Sequence, residues 1–170
     1  MTSIPKRLGI GLGRPATPAE IAALDIDVTP SGHGLPAGRG TAEQGRPIYV
    51  EKCEICHGPN GEGQPFDQLV GREPRDGFPF GHEPSLAKTI GNYWPFATTL
   101  YDDTFRAMPF NDPGTLAPDE VYSLTAYVLH LNDIIAEDAV MNADTLPQVA
   151  MPARDRFVRD NRRGGREVRD

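Results

Sequence analysis

The sequence predicts an all-α fold, three to five short helices with an extended N-terminal arm ahead of them and a C-terminal tail behind. Three observations carry this. Val121, Leu124, Val128 and Leu131 repeat at helical spacing, and strand signals are weak everywhere. The 170 residues include 18 Gly and 17 Pro and are only 38% apolar, so much of the chain is loop wrapped around something other than its own side chains. That length fits one domain with a single core.

Residues 1–40 form the arm, punctuated by Gly9, Gly11, Gly13, Pro15, Pro18, Pro30, Gly32, Gly34, Pro36, Gly38 and Gly40. Within it, Pro18 to Leu24 predicts a short helix, with Thr17 as N-cap ahead of a proline at the first helical position. Gly9-Ile10-Gly11-Leu12-Gly13 has the look of a dinucleotide loop but lacks the preceding strand, which argues against that reading. Residues 41–135 form the folded module. Thr41 and Gln44 have capping-box spacing and open a helix running into Cys53; Pro47 removes a backbone donor inside it, which predicts a distorted or late-starting first turn. A second helix is expected over 96–106. The clearest runs from Pro118 to about Asn132, with Asp119 and Glu120 in its positive first turn. Residues 136–170 read as a tail broken by Pro147 and Pro152, whose final stretch has only Phe157, Val158 and Val168 to bury; its end is expected to be solvated, or ordered against the core or a partner.

Charge narrows the class of partner. The net charge is -7, but residues 152–170 carry seven Arg against four acidic residues, a local +3, which leaves -10 on residues 1–151. An acidic body argues against nucleic acid and is suited either to a basic docking patch or simply to solubility. No window approaches the roughly 20 apolar residues of a membrane span.

The chemistry concentrates at Cys53-Glu54-Ile55-Cys56-His57. Residues at i, i+3 and i+4 of a helical turn share a face, so two sulfurs and an imidazole point the same way. Covalent haem attachment requires this: the thiols add to the two vinyl groups and the imidazole reaches the iron. These are the only two cysteines, so the expectation is one haem c. A zinc site would have to recruit two of His33, His57, His82 and His130, none of them at paired spacing. A thioredoxin-like pair lacks its βαβ context, and a plain disulfide leaves His57 without a role. Attachment of this kind implies export, so the chain is expected to be periplasmic and, with no secretory signal visible in its first residues, to be a processed or engineered form.

The loop after the motif, Gly58-Pro59-Asn60-Gly61-Glu62-Gly63, lets backbone lie close to the macrocycle, and the Pro59 carbonyl is the expected acceptor for the second ring nitrogen of His57. A thioether opposite the histidine would keep the iron low-spin and six-coordinate. Met108 and Met151 both stand in Ala-Met-Pro, where the proline forces an extended backbone. Met108 lies inside the module and is the expected ligand; His82, His130 and Met151 are the alternatives. Tyr93 and Trp94 are candidate haem contacts through a propionate, or else part of a half-buried packing cluster.

Taken together, the Cys53–His57 motif, the Met108-Pro109 loop and a last helix with Tyr122 and Tyr127 resemble class I cytochrome c over about residues 41–132. In that family two helices cross at a small residue and an aromatic, which correspond to Gly45 and Tyr127. Gly13-Arg14-Pro15-Ala16-Thr17-Pro18-Ala19-Glu20-Ile21, Asp25-Ile26-Asp27-Val28, Tyr93-Trp94-Pro95-Phe96-Ala97-Thr98-Thr99-Leu100 and Arg106-Ala107-Met108-Pro109-Phe110 extend a narrower resemblance, to the SoxD-like cytochrome subunit of bacterial sulfane and sulfite dehydrogenases. It implies a molybdenum-cofactor subunit as electron donor, a downstream acceptor, and no catalysis by this chain itself. The longer members carry a second haem domain; two cysteines allow one. A free monohaem shuttle between respiratory enzymes is the alternative, and a haem sensor or catalytic haem with an open sixth position is the second.

Overall fold

A computed structural model describes residues 13–158. Among the described residues five helices follow in order: α1 Pro18–Ala22, α2 Ala42–Lys52, α3 Glu54–His57, α4 Ala97–Ala107 and α5 Pro118–Leu131. Single 3-10 turns at Pro79–Gly81, Leu146–Gln148 and Arg154–Arg156 punctuate the loops. The only sheet among the described residues pairs β1 (Arg39–Gly40) with β2 (Met141–Asn142), antiparallel, Arg39 opposite Asn142 and Gly40 opposite Met141.

α5 is the centre of the molecule. Val121, Leu124 and Val128 of its apolar stripe are buried and Leu131 partly so, and every other residue from Val121 to Leu129 is buried as well, because neighbours close on it from all sides. α2 crosses it at Gly45, where even a methyl group would overlap the Ser123 carbonyl and come within 2.8 Å of Tyr127 Cβ. Beside the crossing, the Tyr49 and Tyr127 rings stand 5.2 Å apart at 57°. The crossing pair expected from the family resemblance is therefore present. At the far end of α5, Asn132 is fully buried. Its side-chain oxygen accepts from Gly71 N–H (3.0 Å), and its amide donates to the Leu69 (3.2 Å) and Val128 (2.9 Å) carbonyls.

α2 starts directly after Thr41, without the late first turn expected from Pro47. The capping box is complete: Gln44 N–H donates to Thr41 Oγ1 and Thr41 N–H to Gln44 Oε1. Satisfying both ends of the first turn leaves Pro47 to cost one interior hydrogen bond, which the packing against α5 outweighs. α4 begins at Ala97, with Phe96 as its N-cap.

The flanking segments join the same core. Val28 is buried, and its N–H donates to Asp102 Oδ1 at 2.8 Å. Thr98 donates to the Pro30 carbonyl at 3.0 Å and the Tyr122 hydroxyl to the Pro36 carbonyl at 2.9 Å. On the other flank Met141, Leu146, Met151 and Ala153 are all buried. These anchors are too widely spaced for a periodic signal; each fills a separate place on the surface of α4 and α5. Val158 is exposed. The Gly9–Leu12 part of the glycine run, Val168 and the Arg-rich stretch from Arg159 lie outside the described residues.

Candidate functional site

Cys53 ends α2 and begins α3, with φ −120° and ψ −35°, so the helix breaks there and restarts as a single tight turn. The Cys56 and His57 N–H groups both donate to the Cys53 carbonyl at 3.0 Å, which closes the turn. Both cysteines are free thiols, half-buried. Burial, with Cys56 adding to it, pushes the Cys53 thiol up to about 11. Two thiols and one imidazole thus sit together on one turn.

The loop after this turn folds back onto it. Gly58 (φ 82°) and Gly61 (φ 72°) take left-handed backbone that a side chain would strain. Gly63 N–H then donates to the His57 carbonyl (2.8 Å), Phe66 N–H to the Cys56 carbonyl (3.0 Å), and Leu69 and Val70 N–H to Gly61 (2.9 Å each). The result brings the Asp67 carbonyl to 2.8 Å from His57 Nδ1. Nδ1 donates to that carbonyl, which leaves Nε2 as the nitrogen with a free lone pair.

The expected acceptor, the Pro59 carbonyl, is corrected by this geometry: Gly58 turns the chain outward, Pro59 is exposed, and the acceptor is reached only after the loop returns at Asp67. No sequence signal marks Asp67, because any residue supplies a carbonyl. The glycines at 58, 61 and 63 were the available hint that the loop doubles back. Tyr49, missed as well, donates its hydroxyl to the Gly58 carbonyl at 2.9 Å and ties the loop to α2; burial holds that phenol well above its ordinary pKa.

Met108 caps α4 with the extended backbone expected before proline, φ −116° and ψ 151°, its N–H donating to the Thr104 carbonyl at 3.2 Å. Its side chain is half-buried, and the loop it opens is exposed from Phe110 to Thr115. Among the alternatives, Met151 is packed in the core at 4% exposure, His82 is exposed, and His130 Nδ1 faces the Ile135 carbonyl at 3.4 Å.

The structure separates Tyr93 and Trp94 from a common role. Trp94 Nε1 donates to Thr99 Oγ1 at 3.0 Å, and that hydroxyl donates on to the Phe96 carbonyl at 2.9 Å, so the ring nitrogen is already engaged. The Tyr93 ring stacks on Phe78 (5.5 Å, 8°), meets Phe80 and Phe157 edge-on, and carries the Lys88 ammonium 5.1 Å from its centroid. This is the packing cluster. Asn92, next to it, organises the preceding loop: it accepts from Thr89 N–H (2.8 Å) and donates to the Glu73 (2.6 Å) and Ala87 (3.0 Å) carbonyls.

Comparison with known proteins agrees with this architecture. Residues 40–128 match the family described as cytochrome c oxidase, cbb3-type, subunit III. A thiosulfate dehydrogenase of Psychrobacter arcticus is 31% identical over 116 residues, 64% of this chain; the chain spans only 32% of that relative's length. The crystal structure of the sulfane dehydrogenase SoxCD from Paracoccus pantotrophus superposes with a TM-score of 0.77 at 37% identity, covering 89% of this chain and 73% of that one. No helix among the described residues is long and apolar enough to cross a membrane. With α2 and α5 crossed at Gly45, a Cys-X-X-Cys-His turn between them and this match across its module, the chain belongs to the cytochrome c family.

Proposed function

We propose that the chain is a monohaem c-type cytochrome that accepts single electrons from a periplasmic molybdenum-dependent sulfite or sulfane dehydrogenase, as its subunit or dedicated partner. The observation that carries the proposal is the turn at Cys53–His57: two unpaired thiols, and an imidazole whose Nδ1 is held by the Asp67 carbonyl so that Nε2 is left for a metal. These residues fit a haem c. When bound, the haem supplies a one-electron Fe(III)/Fe(II) couple.

The chain's own residues then have separate tasks. Cys53 and Cys56 would hold the group covalently through its vinyl carbons. His57 would hold the iron through Nε2; the Asp67 carbonyl fixes its tautomer and ring orientation and raises its basicity. Met108 would supply the iron's second protein ligand, a reading favoured by a half-buried thioether on an extended residue at the mouth of a loop, where Met151 is already packed in the core. Gly58, Gly61 and Gly63 let the return loop lie close to the turn. No general base or nucleophile is required, because an electron moves without bond making in the protein.

The sulfur dehydrogenase as donor is supported by the SoxCD superposition, which at 89% of this chain extends well outside the 40–128 module. The test is spectroscopic first. The pyridine haemochrome of the purified holoprotein should show one haem per chain, and Met108→Ala should remove the low-spin His/Met features of the reduced spectrum. An unchanged spectrum in that variant excludes Met108. Reduction of the wild type by sulfite or thiosulfate should then require an added molybdenum dehydrogenase; reduction that ignores such an enzyme excludes the donor.

A further inference from the structure

Met108 is held by hydrogen bonds from one side only. After it, residues 110–115 are exposed and the bonds of the loop are local: Asp112 N–H donates to the Pro109 carbonyl (2.9 Å) and the Thr115 hydroxyl to the Asp112 carbonyl (2.8 Å). Among the described residues, no hydrogen bond ties 109–115 to the body. Before it stands α4, whose C-cap is Met108 itself, with the Met108 N–H bonded to the Thr104 carbonyl. The rotation and register of α4 therefore decide where the thioether sits.

α4 is buried in the core through Ala97, Leu100 and Tyr101, whose ring meets Tyr122 at 4.5 Å. Apolar contact of that kind is non-directional. The directional ties come from Thr98, Asp102 and Arg106, which recur at four-residue spacing and so lie along one side of the helix. The Thr98 hydroxyl donates to the Pro30 carbonyl of the arm at 3.0 Å. One turn on, Asp102 Oδ1 accepts from the Val28 N–H of the arm and from Arg106 Nε, at 2.8 Å each, while its other oxygen takes a second Arg106 nitrogen. Val28 and Asp102 are both buried, and Arg106 stands in the last turn of α4, two residues before Met108. Stability alone does not explain a carboxylate in that place: burying it costs hydration, which an ion pair offsets only with good geometry, and apolar residues commonly serve as well. What the carboxylate adds is direction, because its bonds fix the last turn of α4 relative to the arm.

Resting on Met108 as an iron ligand, we propose that Asp102 is a positioning residue for that ligand: by tying the last turn of α4, through Arg106, to the arm at Val28, it holds the Met108 thioether toward the iron. The arm then serves the redox centre from within the chain, as a brace on the helix that presents the ligand. Of the two polar ties between arm and helix, only the one at Asp102 reaches the turn that carries Met108; the one at Thr98 lies at the opposite end of α4. Loss of the Asp102 tie leaves Cys53, Cys56 and His57 untouched and raises the fraction of molecules in which the thioether is off the iron.

The test reads that fraction in the ferric holoprotein with free imidazole, which binds the iron only where the thioether has left, so its apparent affinity scales with the open population. Met108→Ala sets the upper limit. Asp102→Asn keeps the shape of the side chain and an acceptor for the Val28 N–H but discharges the pair with Arg106. It should bind imidazole at least about fivefold more tightly than the wild type and show a weaker sulfur-to-iron charge-transfer band. Thr98→Val removes the other tie to the arm; whatever stability it loses, it should bind imidazole within about twofold of the wild type. Arg106→Gln changes a half-exposed side chain and carries the same comparison if Asp102→Asn does not retain haem. If the variant at the pair stays within about twofold of the wild type, or Thr98→Val moves by the same factor as that variant, Asp102 does not position the ligand and the proposal is overturned, while Met108 as ligand stands on the Met108→Ala difference. If Met108→Ala itself binds imidazole like the wild type, Met108 is not the ligand and both fall.

Discussion

α1 and α2 begin with the same device and end in opposite situations. Each follows a threonine N-cap, and each has the third helical residue bonding back to that cap, Glu20 to Thr17 and Gln44 to Thr41. α2 then runs for 11 residues, buries Ala42, Gly45 and Tyr49 against α5, and delivers the Cys53–His57 turn. α1 stops after five residues and buries nothing. A cap decides where a helix starts; what the helix contributes to stability is decided by the face it hides. The contrast marks α2 as part of the cofactor scaffold and α1 as an element displayed at the surface.

The strongest way to break the contrast is to remove the packing and keep the cap. Gly45→Val leaves the Thr41–Gln44 box intact but drives a side chain into the Ser123 backbone, which cannot move without displacing α5. The expected cost is at least about 3 kcal/mol, with haem incorporation falling alongside. Thermal unfolding followed at the haem band and by far-ultraviolet circular dichroism measures it. A loss below about 1 kcal/mol would mean that the crossing relaxes easily and that α2 is less embedded than its burial implies.

A finer comparison makes one substitution in both places. Thr41→Ala should lower global stability by about 1 kcal/mol, since the cap it removes belongs to a core helix. Thr17→Ala removes an equivalent cap, yet should change the global unfolding free energy by less than about 0.3 kcal/mol and appear only as faster amide exchange in residues 18–24. Equal global effects would show that α1 is coupled to the core after all.

The smallest effect is a pH dependence confined to α1. The Arg14 guanidinium, and then the Thr17 backbone and hydroxyl, hold the Glu20 carboxyl down from 4.5 to about 2. Because the folded value lies below the unfolded one, the cap is at full strength above pH 4.5 and is lost as pH falls toward about 2. The protection factors of the Ala23 and Leu24 amides should fall across that window, with those of α5 unaffected. A Glu20 carboxyl titrating near 4.5 by NMR would show that the Arg14 pair is not held in solution.

Local features were legible in the sequence, and for physical reasons. The Thr41–Gln44 capping box, the Thr17 N-cap, the helix starting at Pro118 with acidic residues behind it, and the extended residue before Pro109 all depend on neighbours within four positions. The Cys53–Cys56–His57 grouping belongs to the same class, because helical geometry alone puts those side chains on one face. What failed to appear was backbone and distant. Asp67 reaches His57 through a carbonyl that every residue type possesses, and only the reversal at Gly58 and Gly61 brings it there. Asn132 and Asn92 each organise three bonds, but an asparagine in a sequence does not announce whether its amide will be buried.

The sequence by itself determined the helical class, the order of the helices, and the turn that presents two thiols and an imidazole together, since each follows from spacing along one strand of backbone. Only the tertiary structure decided that Asp67 rather than Pro59 holds His57, that Trp94 spends its N–H on Thr99, and that Met141, Leu146 and Met151 return to close the core. It also decided that the arm is fastened at Val28 while Ile21, Leu24 and Ile26 are left in water. Those outcomes depend on which distant surface meets which side chain, and burial is a property of the packed chain, not of the residue.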